Sequence, residues 1–192
     1  MKVGPIIPAP SRYSPLAIGL HWLSALLIVC GFSIGLWMTT LAFSPLKFRW
    51  YGYHKWIGIT VFLVAACRLI VRALRPAPPL PEAMPRWQRR AAGASHLLLY
   101  ALMLAIPLSG WLYSSATGVS VVYLGLVPLP DLVPKDKALA AALKGVHLGL
   151  NSALALLVTI HAGAALGHHF IERNGVLARM LPFHPARERM KQ

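Results

Sequence analysis

Four long apolar runs divide this chain, at roughly residues 16–42, 53–74, 94–114 and 145–171. Each reaches the ~20 residues an α-helix needs to cross a hydrocarbon core. The first is no secretory signal, because its apolar stretch from Leu16 to Met38 well exceeds the usual 7–15 residues. Trp50, Tyr51, Tyr53 and Trp56 flank the second run, and Trp111 and Tyr113 close the third, as aromatic side chains do at a membrane–water interface. Between runs two and three, residues 75–86 carry five prolines. Such a segment fits neither a helix nor a sheet interior and reads as a stiff connector. Residues 118–134 are apolar but interrupted by Pro128, Pro130 and Pro134, predicting a loop against the membrane surface. No internal repeat is apparent. The pattern predicts an all-α, integral membrane, four-helix up-down-up-down bundle, built as a single transmembrane domain over residues 1–192.

Composition sharpens this. The chain is 57% hydrophobic and only 12% charged, against about 25% charged residues in soluble domains, so lipid is its solvent. Its formal charge is +14, from 19 Lys and Arg against five Asp and Glu. With the N-terminal tail, the connector and the C-terminal tail on one face, that face holds 13 of the 19 basic residues when the span ends are included. Positive residues favour the cytoplasm, which places both termini there. The basic balance therefore needs no nucleic acid, which would want cations clustered on a soluble face with stacking aromatics. Two cysteines, in neither a Cys-x-x-Cys nor a Cys-x-x-Cys-His arrangement, exclude covalent c-type haem and a zinc ribbon. Cys30 and Cys67 lie about 10 Å apart in depth by helical rise, too offset for a disulfide, and read as small buried hydrophobes.

The histidines carry the chemistry. An ionisable residue inside a span is expensive and defaults to a functional reading. In the fourth span His147 and His161 are 14 residues apart, which leaves them about 40° apart on one helix face and about 21 Å apart along it. Each needs a partner at its own depth. In an alternating bundle His21 lies level with His161, and His54, opening the second span on the opposite side, lies level with His147. Two stacked histidine pairs across a bundle are the arrangement for two b-type haems. With both axial positions of each iron filled, the chemistry is outer-sphere electron transfer. Gly145, Gly149, Gly163 and Gly167 around the span-four ligands, with Gly31 and Gly35 in span one, make room for a porphyrin; close helix contact is the competing reading. A zinc site or proton path is a further alternative, but these four histidines divide into two distant pairs.

The chain resembles the bacterial cytochrome b561 family, related to the b-type subunits of hydrogenases, from about Arg12 to Pro182. The resemblance rests on Arg12-Tyr13 leading to His21-Trp22, on Tyr53-His54-Lys55, and on Arg68-Leu69 to Arg72 followed by Pro76, Pro78 and Pro79. It continues through His96 to Tyr100, Pro107-Leu-Ser-Gly110-Trp111, His161 to His168-His169-Phe170, and Arg179-Met180-Leu181-Pro182. It implies a multi-pass bacterial inner-membrane protein holding two non-covalent haem b groups, with axial ligands at His21, His54, His147 and His161. The chain departs from the family pattern at Gly167, where many members carry Lys, and at Asn174, where Asp is common.

Auxiliary residues follow. Arg68, about 9 Å inside its span end by helical rise, is placed to meet a haem propionate or a quinone; its competing reading is a snorkelling side chain. His96 opens span three on the same side, placed to hydrogen-bond a propionate or bind a quinone, with an interfacial histidine as its competing reading. His168 follows His161 on nearly the same face, positioned to give a proton to a quinone, with a solvated helix end as its competing reading. His184 lies in the tail. On the opposite side Lys47, Arg49, Lys55, Lys135, Lys137 and Lys144 outnumber Asp131 and Asp136, a positive rim suited to steering a small anion. Some members of the family this chain resembles oxidise superoxide and reduce ubiquinone, so the resemblance implies a di-haem transmembrane electron carrier linked to ubiquinone, with superoxide:ubiquinone oxidoreduction as its enzymatic form. The expected partners are the lipid bilayer, ubiquinone, and superoxide or a periplasmic redox protein. The alternatives are a relay subunit of a larger dehydrogenase or hydrogenase, and a His-lined metal or proton transporter.

Overall fold

A computed structural model describes residues 12–182. Its four long helices are α1 (Pro15–Thr40), α2 (Pro45–Leu74), α3 (Arg86–Thr117) and α4 (Lys137–Phe170). A short hairpin of β1 (Val122–Tyr123) and β2 (Val127–Pro128) joins α3 to α4, and a 3-10 turn over Leu177–Met180 follows α4. All four helices are long and apolar enough to cross a membrane. His184 lies outside the described residues.

The helices begin where local chemistry starts them. Ser14 and Ser44 accept hydrogen bonds from Ala17 N and Lys47 N, with proline at the first helical turn of each, and Asp136 accepts from Leu139 N. Such caps satisfy amide groups that a helix end leaves orphaned, each worth about 1 kcal/mol. The Ser44 and Asp136 caps sit outside the apolar runs, so α2 and α4 begin about eight residues before the spans that hydropathy alone defines, and α3, which follows Pro85 without a side-chain cap, does the same. At the end of α3, Gly118 takes a left-handed conformation (φ 77°), and a Cβ there would lie 2.8 Å from the Lys135 side chain.

Consecutive helices pack directly, α1 on α2, α2 on α3 and α3 on α4, whereas α4 meets α1 and α2 through histidine rings. Leu26, Val29, Leu36, Leu63, Leu156 and Ile160 are exposed on the outside of the bundle, the arrangement of a protein whose solvent is hydrocarbon. Cys67 belongs to this outer surface, on the exposed stripe Leu63, Cys67, Ile70 and Leu74 of α2. It is therefore not the buried hydrophobe expected of it, because its face of α2 turns away from the core. That core, Val61, Ala65 and Met103 with Leu27, Ile28 and Leu104 packed around them, forms an apolar waist at mid-bundle.

The two bundle ends differ. At the end bearing both termini of the described chain, the Trp22 indole donates to Met180 O (2.8 Å) and Arg12 donates to Leu181 O, folding the segment after α4 across α1. At the opposite, hairpin end, the segment read as a membrane-surface loop is fastened across the helix ends. Trp56 Nε1 donates to Val122 O (2.7 Å), Lys55 Nζ to Val119 O (3.0 Å) and Trp111 Nε1 to Pro130 O (3.0 Å).

Candidate functional site

Alternation of the helices brings the histidines together in the two pairs their depths predict. His54 on α2 faces His147 on α4 near the hairpin end, with ring centroids 6.3 Å apart and planes at 85°. His21 on α1 faces His161 on α4 near the terminal end, also at 6.3 Å, with planes at 57°. The spacing is informative. Two metal–nitrogen bonds of ~2.0 Å, plus ~1.1 Å from each nitrogen to its ring centre, place the ring centres of two histidines that share one metal ~6.2 Å apart. Both pairs match that distance. His96 also reaches the terminal-end pair, but its ring meets His161 edge-on at 5.4 Å, closer than two axial ligands on one metal sit. Among the described residues no three His, Cys, Asp or Glu side chains converge as a metal-ion cluster.

The surroundings fit a flat, bulky group. A cavity of about 380 Å³ at the hairpin end is lined by His54, His147, Gly31, Met38, Tyr51 and Gly110, within the range of cofactor pockets. An added side chain would be tight at two points beside it. A Cβ at Gly35 would lie 3.1 Å from His54 Cε1, and one at Gly110 would lie 3.0 Å from His147 Cε1. The Gly31 backbone faces the His54 ring, and the buried His54 Nδ1 makes no well-formed hydrogen bond among the described residues. A Cβ at Gly145, Gly149, Gly163 or Gly167 would meet nothing within 4 Å, so tight helix contact is not what those α4 glycines serve.

The ring nitrogens meet different neighbours. His147 Nδ1 lies 2.9 Å from Ser109 Oγ and 3.1 Å from Ile106 O, while the Ser109 hydroxyl donates to Ile106 O (2.8 Å). His21 Nδ1 instead lies 3.3 Å from Arg68 Nη2. The Arg68 guanidinium is stacked 5.2 Å over the Tyr100 ring and reaches Met103 Sδ at 3.9 Å. Arg68 therefore turns into the bundle, where the snorkelling reading had it pointing out. The sequence marks Ser109 and Gly110 only as part of a motif, and gives no sign of the Ile106 carbonyl. The stretch Pro107-Leu-Ser-Gly-Trp111 marked the place, but nothing in it revealed which histidine it would meet.

His168, two helical turns beyond His161, joins a polar cluster at the terminal end. Its Nδ1 lies 2.8 Å from Glu172 Oε2, with the Asn174 amide 3.0 Å from both and Gln88 donating to Glu172 Oε1 (2.9 Å). The bond from His168 holds the Glu172 carboxyl below the ordinary carboxylate range. A depressed folded-state pKa means that the clamp is complete above the ordinary carboxylate value and is lost as pH falls through the depressed one. Glu172→Gln should therefore loosen the 172–182 segment at neutral pH, raising its amide hydrogen exchange by about threefold or more. Unchanged exchange would show that the Trp22 and Arg12 contacts suffice.

At the hairpin end, Lys47 and Lys55 line the large cavity, their ammonium groups donating to Leu41 O (2.8 Å) and Val119 O (3.0 Å). Arg49, Lys135, Lys137 and Lys144 stand exposed around them.

Comparison with known proteins agrees with this architecture. Residues 12–183 match the family described as prokaryotic cytochrome b561. Cytochrome b561 homolog 2 of Escherichia coli (strain K12) is 37% identical over 177 residues, covering 90% of this chain and 92% of the relative. Cytochrome b561 homolog 1 of the same organism is 31% identical, covering 90% and 98%. The probable superoxide oxidase CybB of Yersinia pestis is 30% identical, covering 89% and 96%. The chain belongs to the prokaryotic cytochrome b561 family: a multi-pass bacterial membrane cytochrome that binds haem b and carries electrons.

Proposed function

We propose that the protein holds two haem b groups, one between His54 and His147 and one between His21 and His161, and passes single electrons across the inner membrane between superoxide and ubiquinone. The observation that carries the reading is the repeated 6.3 Å spacing of two histidine pairs, one at each end of a bundle whose middle is packed with apolar side chains. Haem held by two histidines would supply outer-sphere, one-electron transfer. The chain does the rest. His54 and His147 orient one group beneath the hairpin end, His21 and His161 the other near the terminal end, and the Val61, Ala65 and Met103 waist keeps water from the path between them.

In this reading the terminal end is cytoplasmic and the hairpin end periplasmic, as the bias of Lys and Arg requires. The cations around the hairpin end, Lys47 and Lys55 nearest the cavity, raise the local concentration of a small anion. Superoxide gives up one electron there and leaves as dioxygen. Two such electrons and two protons convert ubiquinone to ubiquinol at the terminal end. His168, hydrogen-bonded to Glu172, supplies a proton there, and Arg68 and His96 border the nearer haem. The name of the Yersinia pestis relative supports the choice of donor.

Rapid mixing of the oxidised, purified protein with superoxide tests this. Haem reduction within milliseconds is expected, and Lys47→Glu with Lys55→Glu should slow it about tenfold at low salt and less at high salt, the signature of electrostatic steering. Haems that stay oxidised in superoxide but are reduced by quinol would reject superoxide as the donor.

A further inference from the structure

The two histidine pairs are built in opposite electrostatic surroundings. At the hairpin end a carbonyl oxygen, which can only accept, lies 3.1 Å from His147 Nδ1, and the Ser109 hydroxyl, its own proton directed to that same carbonyl, accepts at 2.9 Å. His147 thus carries its proton on Nδ1 and leaves Nε2 bare. At the terminal end the group 3.3 Å from His21 Nδ1 is the Arg68 guanidinium, which can only donate; a His21 that keeps Nε2 bare for a metal carries its own proton on Nδ1, and so meets Arg68 as a neighbouring cation and not as a hydrogen-bond donor. Arg68 has the Tyr100 ring and Met103 sulfur about it. No carboxylate lies in any of the four helices, since Glu82, Asp131, Asp136, Glu172 and Glu188 all fall outside them.

Resting on the di-haem reading above, we propose that Arg68 and Ser109 set the two haem potentials apart: Arg68 raises that of the His21/His161 haem, and Ser109, with the Ile106 carbonyl, lowers that of the His54/His147 haem. Reduction adds one negative charge to a centre, and a fixed cation in a low-dielectric interior stabilises the reduced form. An acceptor on the outer ring nitrogen makes an imidazole a stronger donor to its metal, which favours the oxidised form. His147 has two such acceptors, and His21 faces a cation in their place. Lys47 and Lys55 also line the cavity beside the hairpin-end pair, but their ammonium groups are turned to Leu41 O and Val119 O, whereas the Arg68 guanidinium meets the His21 ring itself at 3.3 Å. Arg68 is held in the interior, against the Tyr100 ring and the Met103 sulfur. An electron arriving at the hairpin end therefore runs downhill to the terminal end, and Arg68 is a positioning residue for the direction of flow.

Equilibrium redox titration of the purified holoprotein in detergent, following the absorbance of each haem, tests the assignment; a His147→Ala variant holding one haem identifies which signal is which. Arg68→Leu should lower the reduction equilibrium constant of the terminal-end haem about tenfold, ~59 mV for a one-electron couple, while the hairpin-end haem moves much less. Arg68→Lys should keep most of the parent value, and Ser109→Ala should raise the hairpin-end potential alone. Equal shifts of both haems in Arg68→Leu, no shift, or a loss in Arg68→Lys as large as in Arg68→Leu would overturn the role of Arg68. Should Arg68→Leu fail to retain its haem, Ser109→Ala decides, and an unmoved hairpin-end potential rejects the proposal. Failure of the underlying reading shows separately, as a parent protein with other than two haems per chain.

Discussion

Replacing His147 by alanine is expected to remove one of two haems, halving the haem-to-protein ratio measured as the pyridine haemochrome and leaving the low-spin spectrum of the other. His54→Ala should do the same, because the two rings face each other at 6.3 Å and a single remaining imidazole holds a buried porphyrin poorly. His21→Ala and His161→Ala should remove the other haem. The informative control is His96→Ala. Its ring touches His161 at 5.4 Å edge-on, so both haems should stay, with at most a shift in the spectrum of the terminal-end one. If His96→Ala lost a haem while His21→Ala kept two, the terminal-end pair would be His96 and His161, and the assignment of His21 would fall.

The second large effect is expected from a glycine. Gly110→Val should displace the His147 ring, since a Cβ alone would stand 3.0 Å from Cε1, tighter than ordinary van der Waals contact, and valine adds two methyl groups beyond it. The ring is pinned on its other side by Ser109 and Ile106, so it has little freedom to retreat. Overpacking of this kind typically costs 1–3 kcal/mol, and here it falls on a ligand. The hairpin-end haem should be lost or weakly held, with the terminal-end haem intact. Gly149→Ala on α4, where an added Cβ meets nothing within 4 Å, should leave both haems in place. A Gly110→Val protein with full haem content and an unchanged hairpin-end spectrum would show that the ring moves without consequence.

These two cases mark what was legible before any coordinates. The spans were, because a lipid solvent demands long, uninterrupted apolar runs and the chain has four. The true helix ends were less so: Ser44, Pro85 and Asp136 start helices among polar residues, beyond the reach of a hydropathy pattern. The depths of the four histidines could be read because helical rise is constant and antiparallel order follows from short connections. The outward placement of Cys67 could not, since a single helix does not declare which of its apolar faces meets protein and which meets lipid.

The polar partners belong wholly to the tertiary structure. Ser109 meets His147 across 38 positions of sequence, and Arg68 meets His21 across 47; no periodicity within either helix links such residues. Sequence alone determined a four-span membrane cytochrome with histidines at two matched depths, because rise per residue and hydrocarbon thickness are fixed quantities. Only the packing of α3 against α4 and of α2 against α1 decided which histidine faces two acceptors and which faces a cation, because azimuth and side-chain contact are set by how helices interlock.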